Sequence, residues 1–350
     1  MANITPFLKS LLSVAGLSGH ESPVAGLIES HWKSIADETQ RTRLGSIHAL
    51  SAGDGYPPRP KLLISAHMDA IGMMVAGLEG EFLTLTPVGS VDPRILPSQS
   101  VIVHGRQPLP GVVVPLPVSF RANPKEAASF EDLRVDVGLP AKRLAQLVQP
   151  GDLVSFGTDP LELRGDTISG HSLDNRASVA ALTIALEELQ LTRHAWDVWF
   201  AATVQEEITY AGGATSAYGL RPDLAVIVDV TFGEDGSGKK YETFPLGGGP
   251  TIGVGPTCHP YLRNMLQNLA AGLEMPFAIE AMPEDSFTET DRIQLTRAGI
   301  PTAIISIPLR YMHTPVEVVS LSDIERVGKL LAEFAAMLER GFIDQVTWDD

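Results

Sequence analysis

Two adjacent carboxylates, Glu206 and Glu207, close an apolar run in "WDVWFAATVQEE". An apolar run bounded by turn signals reads as a buried strand. Successive strand side chains point to opposite faces, so on a strand the two glutamates would do different jobs. Other reactive side chains close other apolar runs. His67 and Asp69 end "KLLISAHMD", Asp229 lies in "LAVIVDVTF", and His313 follows "PTAIISIPLRYM". Asp174 stands at the head of the helical stretch "LDNRASVAALTIALEELQL". Two histidines with several carboxylates and no thiolate suit zinc, cobalt or manganese. A catalytic zinc takes about three protein ligands, whereas two ions about 3.5–4 Å apart that share a bridging carboxylate would use five. One of Glu206 and Glu207 would then bind metal, and the other would take a proton from the activated water.

Singly, each residue has an ordinary reading. Adjacent glutamates after a strand could cap the following helix, whose N-terminus favours anions. "LDNR" could be a plain N-cap. Taken together the residues say more, because an open α/β sheet binds ligands outside the carboxyl ends of its strands. His67, Glu206, Glu207, Asp229 and His313 all fall at or near such ends. His20, His31, His48, His104, His171, His194 and His259 carry no comparable signal. His31 and His194 read as helical or loop surface, and His171, near Asp174, as a solvated loop residue.

The elements that must position these groups alternate along the chain. "TPFLKSLLSVAG" and "ESPVAGLIESHWKSI" read as helices, and "KLLISAH" as a strand. From residue 71 to 168 the texture turns to Gly, Pro and Val in short alternating runs, the pattern of a small β domain. Strands and helices then alternate to a long amphipathic C-terminal helix, "LSDIERVGKLLAEFAAMLER". The reading is an α/β unit, residues 1–70 and 169–350, with a mixed sheet covered by helices on both faces, interrupted by a β-rich insert over 71–168.

Composition sets outer bounds. The 350 residues are 44% hydrophobic, enough for a sizeable core. A net charge of −16 argues against nucleic acid or an anionic membrane as partner. The single cysteine, Cys258, excludes an internal disulfide and a Cys-rich zinc finger. No apolar run is long enough to span a membrane, and no basic leader opens the chain, so the cytoplasm is the expected location.

"SAHMDAIGMMV", "SLDNRAS", "VQEE", "VIVDVT" and "IPLRYMHTPVEVV", in that order, resemble the motifs of the tetrahedral co-catalytic metallo-aminopeptidases, the glutamyl aminopeptidase or "cellulase M" family. "GLSGHES", "DLRVDVG", "VQPGDLVSF" and "GGGPTIGVGP" match the same family, so the likeness covers nearly the whole chain. The resemblance implies an α/β peptidase domain interrupted by a PDZ-like domain that builds dimers and, in many members, a hollow dodecamer. It implies two divalent ions, zinc or cobalt. His67 and Asp229 would be terminal ligands of the first ion, Glu207 and His313 of the second, and Asp174 would bridge. Asp69 would orient His67, as metal histidines commonly require, and Glu206 would be the general base. The implied reaction removes the N-terminal residue of a peptide. In similar peptidases the bond after the bridging aspartate is cis, here Asp174–Asn175, against the general rarity of such bonds. Three positions depart from the family pattern: Ala70 where Glu is usual, Thr209 where Gly is usual, and Arg292 in place of a small residue. The competing readings are a related metal amidohydrolase (a deacylase or carboxypeptidase) and a non-catalytic scaffold, which would have no use for Glu206.

Overall fold

The apolar runs become the centre of one large sheet. The computed structural model describes residues 4–121, 123, 125–236 and 242–348. Helices α1 (Thr5–Leu12) and α2 (Ser22–Trp32) precede strands β1 (Glu38–Arg41), β2 (Ile47–Ser51) and β3 (Lys61–His67). Helix α1 turns Leu8, Leu11 and Leu12 inward, one face at helical spacing.

The chain then leaves the sheet. Strands β4 (Gly72–Glu79), β5 (Phe82–Val88), β6 (Ser100–His104), β7 (Pro108–Pro115) and β8 (Leu133–Asp136), helix α3 (Ala141–Leu147) and strand β9 (Leu153–Phe156) follow. The six strands close into a barrel in the order β4-β5-β8-β7-β6-β9. Closure removes sheet edges and encloses a separate core that includes Met73, Val75, Leu83, Val101, Val113 and Val135. Gly72 marks the crossing between the two bodies, since a Cβ there would lie 2.3 Å from Leu17 Cδ2.

Strands β10 (Leu161–Leu163) and β11 (Thr167–Gly170) return to the large sheet, where β11 pairs with β17 (Glu317–Ser320). The insert expected over 71–168 therefore closes as a barrel by Phe156. A short alternating run declares a strand but not its partner, because sheet pairing is not local.

The remaining elements follow in alternation: α4 (Leu173–Leu189), β12 (Asp197–Thr203), α5 (Glu206–Thr209), α6 (Ala211–Leu220), β13 (Leu224–Phe232), β14 (Thr251–Val254), α7 (Pro260–Gly272), β15 (Ala278–Ala281), α8 (Thr290–Ile293), β16 (Thr302–Arg310), β17 and α9 (Leu321–Met337). The eleven-stranded sheet runs β1-β2-β12-β3-β13-β16-β17-β11-β10, with β14 joining β16 and β15 joining β14. Its centre, β12-β3-β13-β16, is parallel. Those strands read as continuous apolar runs because both faces are covered. Helices α1, α2, α4, α7 and α9 share one core with one face. Helices α6 and α8 cover the other, over Leu63, Trp199, Ala201 and Ile227. Each buried Leu, Ile or Val contributes about 1.5–3 kcal/mol over exposure. Helix α9 crosses α4 at Gly328, where a Cβ would come within 2.6 Å of Ile184. Among the described residues no helix is long and apolar enough to cross a membrane.

Candidate metal centre

Parallel pairing places the strand ends together. His67 is the last residue of β3 and pairs with Thr203 at the end of β12, while Asp229 lies in β13 beside β3. Helix α4 begins at the same edge and brings Asp174. Asn175 fixes that end of α4 by donating from Nδ2 to the Val228 carbonyl at 2.9 Å. Ser178 Oγ donates to the Asp229 carbonyl at 3.2 Å. His313 sits in the turn after β16 with φ 61.

Asp174 is the middle of the cluster. Its Oδ1 lies 3.2 Å from His67 Nε2, and its Oδ2 lies 3.3 Å from His313 Nε2. His67 Nε2 is 3.7 Å from Asp229 Oδ1 and 3.8 Å from Glu206 Oε2. His313 Nε2 is 3.4 Å from Glu207 Oε2. Zinc bonds of about 2.0–2.2 Å in a tetrahedron put neighbouring donors about 3.3–3.6 Å apart. The donor separations around Asp174 are of this size. Donor atoms of His67, Asp174 and Glu207 lie within 4.8 Å of one another, as do those of His67, Glu206 and Asp229. Glu207 Oε1 is buried without a hydrogen-bond partner, an orphan that a cation would satisfy. The residues present therefore fit a divalent-metal centre.

The electrostatics agree. Burial, with repulsion from Asp174, pushes Glu207 up to about 8. Burial raises Glu206 well above the carboxylate range, and repulsion from Asp229 and Glu207 adds to it. Burial works against a charged His313, yet its bond to Asp174 and the charge of Glu207 raise it to about 9. Burial also works against the Asp174 carboxylate, but the bonds from His313 and His67 hold it well below its usual value. A site crowded with buried carboxylates keeps them ionised only beside positive charge.

Buried carboxylates also hold the donors in place. Asp69 accepts from Ser18 Oγ at 2.6 Å and from the backbone N–H groups of Glu206 and Glu207 at 3.0 and 3.3 Å. Its Oδ1 lies 3.6 Å from His67 Nδ1. Asp69 thus caps the helical turn α5 as well as lying beside the histidine. Glu317 accepts the N–H of His313 at 3.0 Å and of Asp174 at 3.2 Å. Glu21 accepts the N–H of Gln205 at 3.1 Å. Arg176 lies buried behind the cluster and donates to the carbonyls of Val14 at 2.7 Å and Met68 at 3.2 Å. Glu317, Glu21 and Arg176 escaped the sequence reading. The only signal was position, Glu317 four residues after His313 and Arg176 two after Asp174.

A model of the M42 glutamyl aminopeptidases matches residues 45–330. The chain belongs to that family. Relatives of the M42 chain agree with the match. It is 30% identical to the lysyl aminopeptidase of Pyrococcus furiosus, over 92% of this chain and 94% of that one. It superposes on a TET aminopeptidase from a marine sediment Thaumarchaeota archaeon with a TM-score of 0.92 at 26% identity, covering 98% and 99% of the two chains. The Pyrococcus horikoshii TET1 peptidase, described as assembling into a tetrahedron or a large octahedral shell, matches with a TM-score of 0.81 at 27% identity, covering 96% and 100%. Members of the M42 family are metallopeptidases, and this chain is an aminopeptidase of that family.

Local details differ from the sequence reading. Strand β12 ends at Thr203, and Gln205, at φ 58, turns the chain so that both glutamates sit on α5. They face one cluster rather than opposite faces of a sheet. His171 and His194 are buried rather than solvated, at 8% and 7% exposure. His194 is tied by Nδ1 to the Thr192 carbonyl at 3.1 Å. The Asp174–Asn175 bond is cis, as the resemblance implied. Of the departures, Ala70 is buried, while Thr209 and Arg292 are exposed on α5 and α8.

Proposed function

We propose that this M42 chain removes N-terminal residues from peptides with two divalent ions, zinc or cobalt. His67, Asp174 and Asp229 would hold one ion. Asp174, Glu207 and His313 would hold the other. The observation that supports this reading is Asp174, whose two carboxylate oxygens face His67 and His313 separately. When bound, the ions polarise the scissile carbonyl and acidify the attacking water.

Glu206 is the general base. It stands 3.8 Å from His67, on the turn capped by Asp69. Its carboxylate takes one proton from the attacking water and returns it to the leaving amine as the C–N bond breaks. Water adds its oxygen to the carbonyl carbon, so no acyl-enzyme forms. Asp69 keeps Glu206 and Glu207 on a fixed turn, and Glu317 fixes the main chain of His313 and Asp174. The barrel contributes to self-association, as dimers or a dodecamer, a reading supported by the assembling P. horikoshii relative.

The test is hydrolysis of an aminoacyl-anilide panel, including Lys, Glu and Leu derivatives, by protein of measured metal content. Free-amine anilides should turn over and their N-acetyl forms should resist. Release of acetate from the N-acetyl forms, with the anilide bond intact, would favour a deacylase instead. Light scattering that shows only monomer at micromolar concentration would remove the assembly.

A further inference from the structure

Glu21 is buried, at 5% exposure, just before α2. Its carbonyl serves that helix by accepting the N–H of Ala25 at 2.8 Å. Its side chain serves other segments. Oε1 accepts two main-chain N–H groups, from Gly19 at 2.7 Å and from Gln205 at 3.1 Å. One oxygen atom thus ties the N-terminal segment to a residue 184 positions away in sequence.

The segment that carries Glu21 is anchored beside the metal cluster. The N–H of Ala70 donates to the Gly16 carbonyl at 3.1 Å, and the N–H of Ser18 donates to the Ala70 carbonyl at 3.3 Å. Ser18 Oγ donates to Asp69 at 2.6 Å. Residues 16–21 therefore form a short clasp between the chain just past β3 and the residue that precedes α5.

That residue, Gln205, has φ 58, in the left-handed region that Gly enters freely and Asn tolerates better than Gln. The turn there decides where both glutamates of α5 point, because the chain leaves the direction of β12 at this position. With Gln205 extended, Glu206 and Glu207 would continue the strand and fall on opposite faces. The three consecutive N–H groups of residues 205–207 are all bound by carboxylates, the first by Glu21 and the next two by Asp69. Asp69 meets groups inside the turn, whereas Glu21 meets the left-handed residue itself.

We propose that Glu21 is a positioning residue for peptide hydrolysis, which holds Gln205 in the left-handed conformation and so presents Glu206 and Glu207 to one cluster. The inference rests on the reading of Glu206 as base and Glu207 as ligand. The effect of Glu21 passes through the main chain of Gln205.

Glu21→Ala removes the acceptor, while Glu21→Gln keeps one oxygen in the place of Oε1. With zinc saturating, kcat on a free-amine anilide should fall about ten- to a hundredfold in Glu21→Ala, the cost of one unmade hydrogen bond. KM should change little, and Glu21→Gln should recover most of the loss. In the Glu21→Ala background, Gln205→Gly and Gln205→Asn should restore kcat in part, because both residues take the left-handed conformation more readily. Gln205→Val in that background should lower it further, since a β-branched residue resists positive φ. Hydrogen exchange of the chelated protein, read by mass spectrometry over residues 204–210, reports the turn without the reaction. Exchange should quicken in Glu21→Ala and slow again in the Gly and Asn double variants. Should Glu21→Ala fold poorly, Gln205→Val alone attacks the same conformation and should quicken exchange and lower kcat. The proposal falls if exchange stays at the wild-type rate in the folded variants, or if the Gly, Asn and Val double variants behave alike. A lower urea midpoint with exchange and kcat unchanged would also overturn it, and would make Glu21 a brace of α2. Faster exchange with unchanged kcat would support the hold on the turn and overturn the reading of its glutamates as base and ligand.

Discussion

Glu317→Gln isolates a buried carboxylate that holds the main chain of two proposed metal ligands, His313 and Asp174. Glu317 is 1% exposed, and its two oxygens accept the N–H groups of His313 and Asp174 at 3.0 and 3.2 Å. Glutamine keeps the size and one acceptor. Its amide nitrogen must then face a backbone N–H, donor against donor. The loss of one hydrogen bond to a charged group costs about 1.5–3 kcal/mol. His313 has little else to fix it, since it sits outside the strands at φ 61 with its side chain 31% exposed. The cost should therefore appear where His313 and Asp174 must both be in place, in the metal-loaded state. At about 1.4 kcal/mol per tenfold, metal affinity should fall about 10- to 150-fold. The assay is a zinc titration against a competing chelator, paired with urea denaturation of the chelated protein. An affinity within about threefold of wild type, with a chelated form weaker by the full 1.5–3 kcal/mol, would refute the reasoning. Glu317 would then brace the fold rather than the ligands.

Other changes probe separate links. Glu206→Gln should lower kcat by about 10²–10⁴, the usual contribution of a general base, and leave metal content unchanged; near-wild-type turnover would remove Glu206 from that role. Burial lowers His48 to about 4, while an unfolded histidine titrates near about 6.5. The unfolded chain then binds more protons as pH falls from about 6.5 to about 4, and stability falls over that window. His48→Gln, which can still bond Ser216, should recover up to about 3 kcal/mol relative to wild type between pH 7 and pH 4, and a pH-independent difference in urea midpoints would contradict neutral burial. Gly328→Ala sets a methyl against Ile184 and the Ala181 carbonyl, both within 3 Å, and should cost about 1–3 kcal/mol as overpacking; an unchanged urea midpoint would mean that α9 shifts freely on α4.

The alternation of apolar runs and amphipathic helices was legible because local periodicity produces it. "LAVIVDVTF" and "PTAIISIPLR" could only be buried strands, and they form the parallel centre as β13 and β16. The β-rich texture after His67 was equally plain, but its closure into a barrel was not. Nor was the return of 161–170 to the large sheet. Both depend on pairing between residues far apart in sequence. The glutamate pair misled for a local reason: the apolar run extends to Val204, but Gln205 leaves the strand at φ 58. His171 and His194 look like loop polar residues in sequence and are buried by packing from elsewhere. Glu317 and Glu21 bond only main-chain groups, and such bonds leave no motif.

The donors fall into two mechanical classes, and this orders how the site should fail. His67 and Asp229 lie on central strands, where His67 pairs with Thr203 of β12 and Asp229 with Ser306 of β16. Glu206, Glu207, Asp174 and His313 lie outside the strands, next to or within left-handed or kinked backbone at Ser172, Asp174, Gln205 and His313. For each of these four, the backbone N–H is bound by a buried carboxylate, Asp69 for the glutamates and Glu317 for the other two. Perturbing Glu317 should release the His313 side while His67 and Asp229 stay in register. Perturbing Asp69 should displace both glutamates together, the proposed base and the proposed ligand, because they share one turn. Two buried carboxylates, Asp69 and Glu317, thus tie the turn-borne groups of the cluster to the rest of the fold.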